Sequence, residues 1–87
     1  KLEIEKSLKL KFSKDLSDIF YEPKENVLWI TSDESKMVVK CDLQGNPIQK
    51  FKAPYDQIEG ITVDKNNKYL YLVSDPLQRL YKFEFVK

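Results

Sequence analysis

Residues 16–85 carry the same strand-and-turn pattern twice. Placing Leu16 on Ile58 and running forward without a gap sets Ile19 on Ile61, Leu28 on Leu70, Ser32 on Ser74, Asp33 on Asp75 and Lys40 on Lys82. Trp29 meets Tyr71, and Cys41 and Leu43 meet Phe83 and Phe85. The turn Pro23-Lys24-Glu25-Asn26 meets Lys65-Asn66-Asn67-Lys68. The period is about 42 residues, within the range of units built from four short strands. A meander whose strands merely had similar lengths would not be expected to place Ser-Asp at the same spot twice.

Within a unit the local signals are those of strands. Leu16–Glu22 leads into Pro23–Asn26, whose residues favour turns. Val27–Thr31 reads VLWIT, apolar on both parities, as expected of a strand covered on both faces. In Met37–Leu43, residues Met37, Val39, Cys41 and Leu43 alternate against Val38, Lys40 and Asp42. Gln44-Gly45-Asn46 predicts a hairpin turn, because Gly45 takes positive φ without steric cost. Pro47–Lys52 predicts an edge strand, since proline cannot donate to a ladder. Ahead of the repeat, Leu2, Ile4, Leu8, Leu10 and Phe12 share one parity, while Glu3, Glu5, Ser7, Lys9 and Lys11 share the other. That alternation predicts a further strand over 1–12 with one wet face. No segment shows a helical period.

With the strands of a unit labelled A to D, the chain reads D, A-B-C-D, A-B-C. The expected architecture is all-β, a β-propeller fragment of about two four-stranded antiparallel blades. Residues 1–12 form an outer strand, 16–53 a complete blade and 58–85 a three-stranded partial blade. Propellers have roughly 4–8 blades, so the chain cannot close a ring alone. Its expected partners are the remaining blades of a longer parent chain or further copies of itself.

Composition removes several chemistries. With 15 Lys+Arg against 14 Asp+Glu the net charge is +1, which gives no electrostatic reason to bind nucleic acid. There is no His, so Ser-His-Asp catalysis and imidazole zinc sites are excluded. The single Cys41 makes no disulfide within the chain, and its place opposite Phe83 in the repeat predicts a small buried hydrophobe. Two glycines leave no room for a P-loop or dinucleotide turn. No run of 18 apolar residues is present, so this segment is not expected to insert into a membrane. The chain opens on Lys1 and reads as processed or cut from a longer one, so the missing leader says nothing of compartment.

The segments LSDIFYEPKENVLWITSDES, KCDLQGNPIQKF, QIEGITVD and YLYLVSDPLQRLYKFEF resemble the SdiA-regulated β-propeller family over residues 16–85. Glu59-Gly60-Ile61 and the Trp29–Glu34 segment carry most of the likeness. The resemblance implies a bacterial protein of the periplasm or cell envelope, with one branch tied to calcium response. It also implies a distant likeness to esterase-like phytases. Asp18 stands where the family often has glycine.

Antiparallel order puts the D–A and B–C connections at one end and the A–B and C–D turns at the other. The first end gathers Asp15, Asp18, Asp33, Glu34, Asp56, Glu59 and Asp75, with Asp18 and Glu59 nearest the channel. Asp18, Glu59, Asp33 and Asp75, beside Ser17, Ser32 and Ser74, are the candidate ligands of a hard cation, Ca²⁺ being the natural choice. Against this, Asp33 and Asp75 are also suited to capping their own tight turns, and no EF-hand pattern is present. Three functions follow. The first is a non-enzymatic ligand-binding or sensing module with an acidic, cation-binding end. The second is a metal-dependent phosphoesterase of phytase type with Glu59 as base, for which only Lys14, Lys36 and Arg79 offer positive charge at that end. The third is a protein-interaction scaffold. Trp29, Tyr71 and Tyr81 are expected to pack between blades, which leaves Tyr55 as the aromatic most open to a ligand.

Overall fold

The computed structural model describes residues 1–12, 15–32, 36–53, 57–64 and 66–86. Seven strands form in order: β1 (Asp18–Glu22), β2 (Val27–Ser32), β3 (Met37–Cys41), β4 (Pro47–Lys52), β5 (Ile58–Val63), β6 (Tyr69–Ser74) and β7 (Arg79–Glu84). They make two antiparallel sheets, β1-β2-β3-β4 and β5-β6-β7. The described residues form no helix, and the chain is an all-β propeller fragment.

The repeat is visible in the register itself. Ile19↔Ile30 and Tyr21↔Leu28 in the first sheet recur as Ile61↔Leu72 and Val63↔Leu70 in the second. Trp29↔Lys40 recurs as Tyr71↔Lys82, and Ser32↔Met37 as Ser74↔Arg79. The β2–β3 and β6–β7 turns also match: Lys36 (φ 50°) and Gln78 (φ 50°) take the same left-handed position.

Strand parity decides which way each side chain faces. In the first sheet Val27, Trp29 and Val38 point toward the second sheet; there Ile58, Ile61, Val63, Leu70 and Leu72 point back, and all are buried in one core with Ala53. Phe20, Phe51, Tyr81, Phe83 and Phe85 pack around it. Trp29 is 3% exposed, stacks on Phe51 at 5.9 Å and tilts against Phe85 at 5.5 Å. Such aromatic contacts add to the area burial that drives the two sheets together. The mixed parity of VLWIT is explained by Ile30, which with Val39 and Cys41 is buried on the opposite face. Each sheet thus has two apolar faces, as radially stacked blades require. The corresponding far face of the second sheet shows Val73 and Leu80, both exposed, beside Tyr69 and Tyr71. β1 and β5 lie side by side as innermost strands.

Residues 1–12 depart from the expectation of a strand: they pair with no other described segment, and Leu2 and Ile4 are exposed. The segment runs to the first sheet's outer side. Lys6 Nζ donates to Gln44 Oε1 at 2.8 Å, and Leu10 packs over Gly45 (φ +84°), where an added Cβ would lie 2.7 Å from Leu10 Cδ2. These contacts of residues 1–12 are with the β3–β4 turn of the first sheet, and the edge of β7 in the second sheet is not paired by them. A strand pattern without an edge to pair against stays a pattern.

Candidate functional site

At the D–A and B–C end, Asp18 and Glu59 come together but do different things. A bulge between Ile58 and Gly60 shifts the β5 register and leaves Glu59 exposed at the start of this inner strand. Bulges of this kind re-aim a side chain and leave one residue outside the ladder. Asp18, half-buried at the start of β1, reaches the inner edge of β5, where its Oδ2 accepts a hydrogen bond from Ile61 N at 2.9 Å. Asp18 therefore clamps the two sheets together. Gly60 is required by its neighbour on β6 and not by Asp18: a Cβ there would lie 2.6 Å from Val73 Cγ2 but at an ordinary contact distance of 3.8 Å from Asp18 Oδ2. Asp75 is exposed and its backbone carbonyl accepts from Gln78 N at 3.0 Å, closing the β6–β7 turn. Asp33, Glu34, Tyr55, Asp56, Lys14 and Lys65 lie outside the described residues. Among the described residues no group of three or more His, Cys, Asp or Glu gathers as a metal cage.

The other end carries the denser polar network. Glu22, 1% exposed, accepts from the backbone N–H of Lys24 and of Glu25 (2.8 Å) and from Asn67 Nδ2 (2.9 Å). Burial alone pushes its carboxyl up, but the Glu25 amide, the Asn67 side chain and the Lys24 amide outweigh this and hold it below the ordinary carboxylate range. Asp64 stands at the same place in the second unit, and its Oδ1 accepts from Lys68 N at 2.7 Å and Tyr69 N at 3.0 Å. The Tyr69 amide is the main cause of its lowered pKa. At the β3–β4 turn Asp42 accepts from Gln44 N and Asn46 N, and the Asn46 amide chiefly lowers it. Across the sheets, Asn67 Nδ2 also donates to Glu25 Oε2 at 3.2 Å, and Lys40 Nζ holds Glu25 at 3.0 Å. Cys41 is fully buried; burial, then the charge of Asp42, raises its thiol pKa, which suits an inert core residue.

Sequence reasoning misses the Glu22–Asn67 link. Its signal is present all the same, since the repeat offset sets Glu22 on Asp64, two carboxylates at one turn position.

A family model described as SdiA-regulated matches residues 1–84. The chain belongs to the SdiA-regulated family. The match extends over residues 1–12, ahead of the segments that carry the resemblance in sequence. No solved structure matches the chain. Membership in the SdiA-regulated family agrees with two sheets of repeated register and with the Glu59-Gly60-Ile61 segment lying on an innermost strand. Where this member carries Asp18, the second unit has Gly60, and the carboxylate of the first lies over the glycine of the second.

Proposed function

We propose that this chain is a non-enzymatic ligand-binding or sensing segment of a β-propeller, whose ligand end is the D–A and B–C end. The observation that supports this most is the bulge that carries Glu59 out of the β5 ladder beside Asp18. A carboxylate held exposed on an innermost strand has no packing role there. The ligand chemistry it suits is a divalent cation such as Ca²⁺. With one Asp18 oxygen engaged by Ile61 N, Glu59 would be the leading ligand, joined by Asp33 and by oxygens of further blades. Calcium titration by calorimetry is the test. Saturable binding is expected, weakened about 5- to 100-fold by Glu59→Gln, the scale of losing one charged contact. Equal affinities in the two proteins would remove Glu59 from the site.

A second reading is a scaffold for further strands or blades. It draws on the three-stranded second sheet, the edge of β7, and a groove of about 420 Å³ between the sheets lined by Phe51, Leu70, Leu72, Phe83 and Phe85. The partners are the remaining blades of a longer chain or further copies, and the setting is the cell envelope. The phosphoesterase reading has less support: Glu59 has no positive partner among the described residues beside it, and Arg79 lies on β7, away from the inner strands.

A further inference from the structure

A second cavity, of about 70 Å³, opens between the sheets at the A–B end, away from Glu59. Trp29, Val63 and Phe85 form its apolar wall, and Lys40, Gln49 and Asn67 bring polar groups to it. Two of its lining residues carry buried polar atoms that no described group satisfies: the donor Trp29 Nε1 and the acceptor Asn67 Oδ1. An unpaired buried polar group is costly, so each of these two atoms calls for a hydrogen-bonding partner such as water or a ligand group.

The orientation of Asn67 is fixed by charge. Its Nδ2 faces Glu22 Oε1 and Glu25 Oε2, which only accept, so the amide cannot be turned over and Oδ1 is held on the other side. Lys40, at 3.0 and 3.1 Å from the two oxygens of Glu25, is already compensated. The cavity is therefore close to neutral. A carboxylate would find no free cation, and an ammonium no free anion. A carbonyl could accept from the indole but give nothing to the amide. An O–H group does both.

We propose that this cavity binds a neutral hydroxyl group, which accepts from Trp29 Nε1–H and donates to Asn67 Oδ1, bridging the two sheets. The volume holds about two waters, each of roughly 30 Å³ in the liquid, or the hydroxyl end of a polyol. Lys40, Gln49 and Glu25 sit at the outer side, half-buried or exposed, so a small solute has access. The apolar wall suits the C–H face of a sugar or glycerol.

Trp29 is the only tryptophan, so its indole N–H gives one unambiguous ¹⁵N resonance. The chain would be titrated with glycerol and with glucose while that resonance is followed, and its crystal structure solved without either. A saturable movement, lost in Asn67→Gly, identifies a polyol hydroxyl. Glycine keeps the left-handed backbone that Asn67 adopts (φ 57°), so that variant retains its turn. No movement, with an ordered oxygen within about 3.2 Å of both Trp29 Nε1 and Asn67 Oδ1, identifies water. No movement together with no oxygen shared by the two atoms overturns the proposal.

Discussion

Replacing Glu22 by alanine removes the acceptor of three hydrogen bonds: the amides of Lys24 and Glu25 in the β1–β2 turn and the side-chain amide of Asn67 across the sheets. A bond to a charged group contributes about 1.5–3 kcal/mol when the freed partner stays dry. Here Lys24 and Glu25 are exposed and their amides rehydrate, which reduces each loss to about 1 kcal/mol. Asn67 Nδ2 keeps its second acceptor, Glu25 Oε2, so its loss is also about 1 kcal/mol. The sum, about 3 kcal/mol, is a large share of the roughly 4–13 kcal/mol expected of a domain this size. It corresponds to a Tm lower by about 10–20 °C. Urea unfolding followed by Trp29 fluorescence reads the change directly, with m unaltered. The pH dependence gives a second check. The folded carboxyl lies below its ordinary value of 4.5, so its stabilisation is fully present above that pH and is lost as pH falls through the folded value. The gap between wild type and Glu22→Ala should therefore narrow on acidification. A loss under about 0.5 kcal/mol, or a gap that widens in acid, would refute the account of this turn.

Three further outcomes follow from the packing. Trp29→Ala should cost about 3–5 kcal/mol, because the indole is buried between Phe51 and Phe85; chemical denaturation checks this. Asp18→Ala should cost about 1.5 kcal/mol and raise hydrogen exchange at the Ile61 amide more than at Leu72; unchanged exchange would mean that the clamp is not formed in solution. Deleting residues 1–12 should speed reaction of the buried Cys41 with an aromatic disulfide reagent, since Leu10 packs over Gly45 in the turn that follows the strand ending at Cys41; an unaltered rate would show that the segment covers nothing there.

Much of the fold was legible because strand signals are local. Period-two alternation, the turn residues of Pro23–Asn26 and the hairpin at Gly45 fixed β1 to β4. The offset of Leu16 to Ile58 then carried the register into β5, β6 and β7. Residues 1–12 show where locality ends, since their pattern is equally good but a strand also needs an edge to pair with, and this segment pairs with neither sheet. The site was less legible for a related reason. The place of Glu59 on an inner strand is readable in sequence, but the bulge that exposes it depends on pairing with β6. Sequence alone groups Asp18 with it as a ligand, whereas the contact with Ile61 N exists only once the two sheets meet. In sequence Asn67 is turn chemistry alone, and its further role comes from facing two carboxylates of the other unit.

The two repeated units pack face to face as adjacent blades, with Trp29 between them. Nuclear Overhauser spectra of the 87-residue chain test it most directly. The indole of Trp29 should give cross-peaks to the ring of Phe85 and the methyls of Val63, both from the second unit, as well as to Phe51 of its own. Cross-peaks confined to the first unit, in a protein whose strands keep the Ile19↔Ile30 and Ile61↔Leu72 pairings, would contradict it.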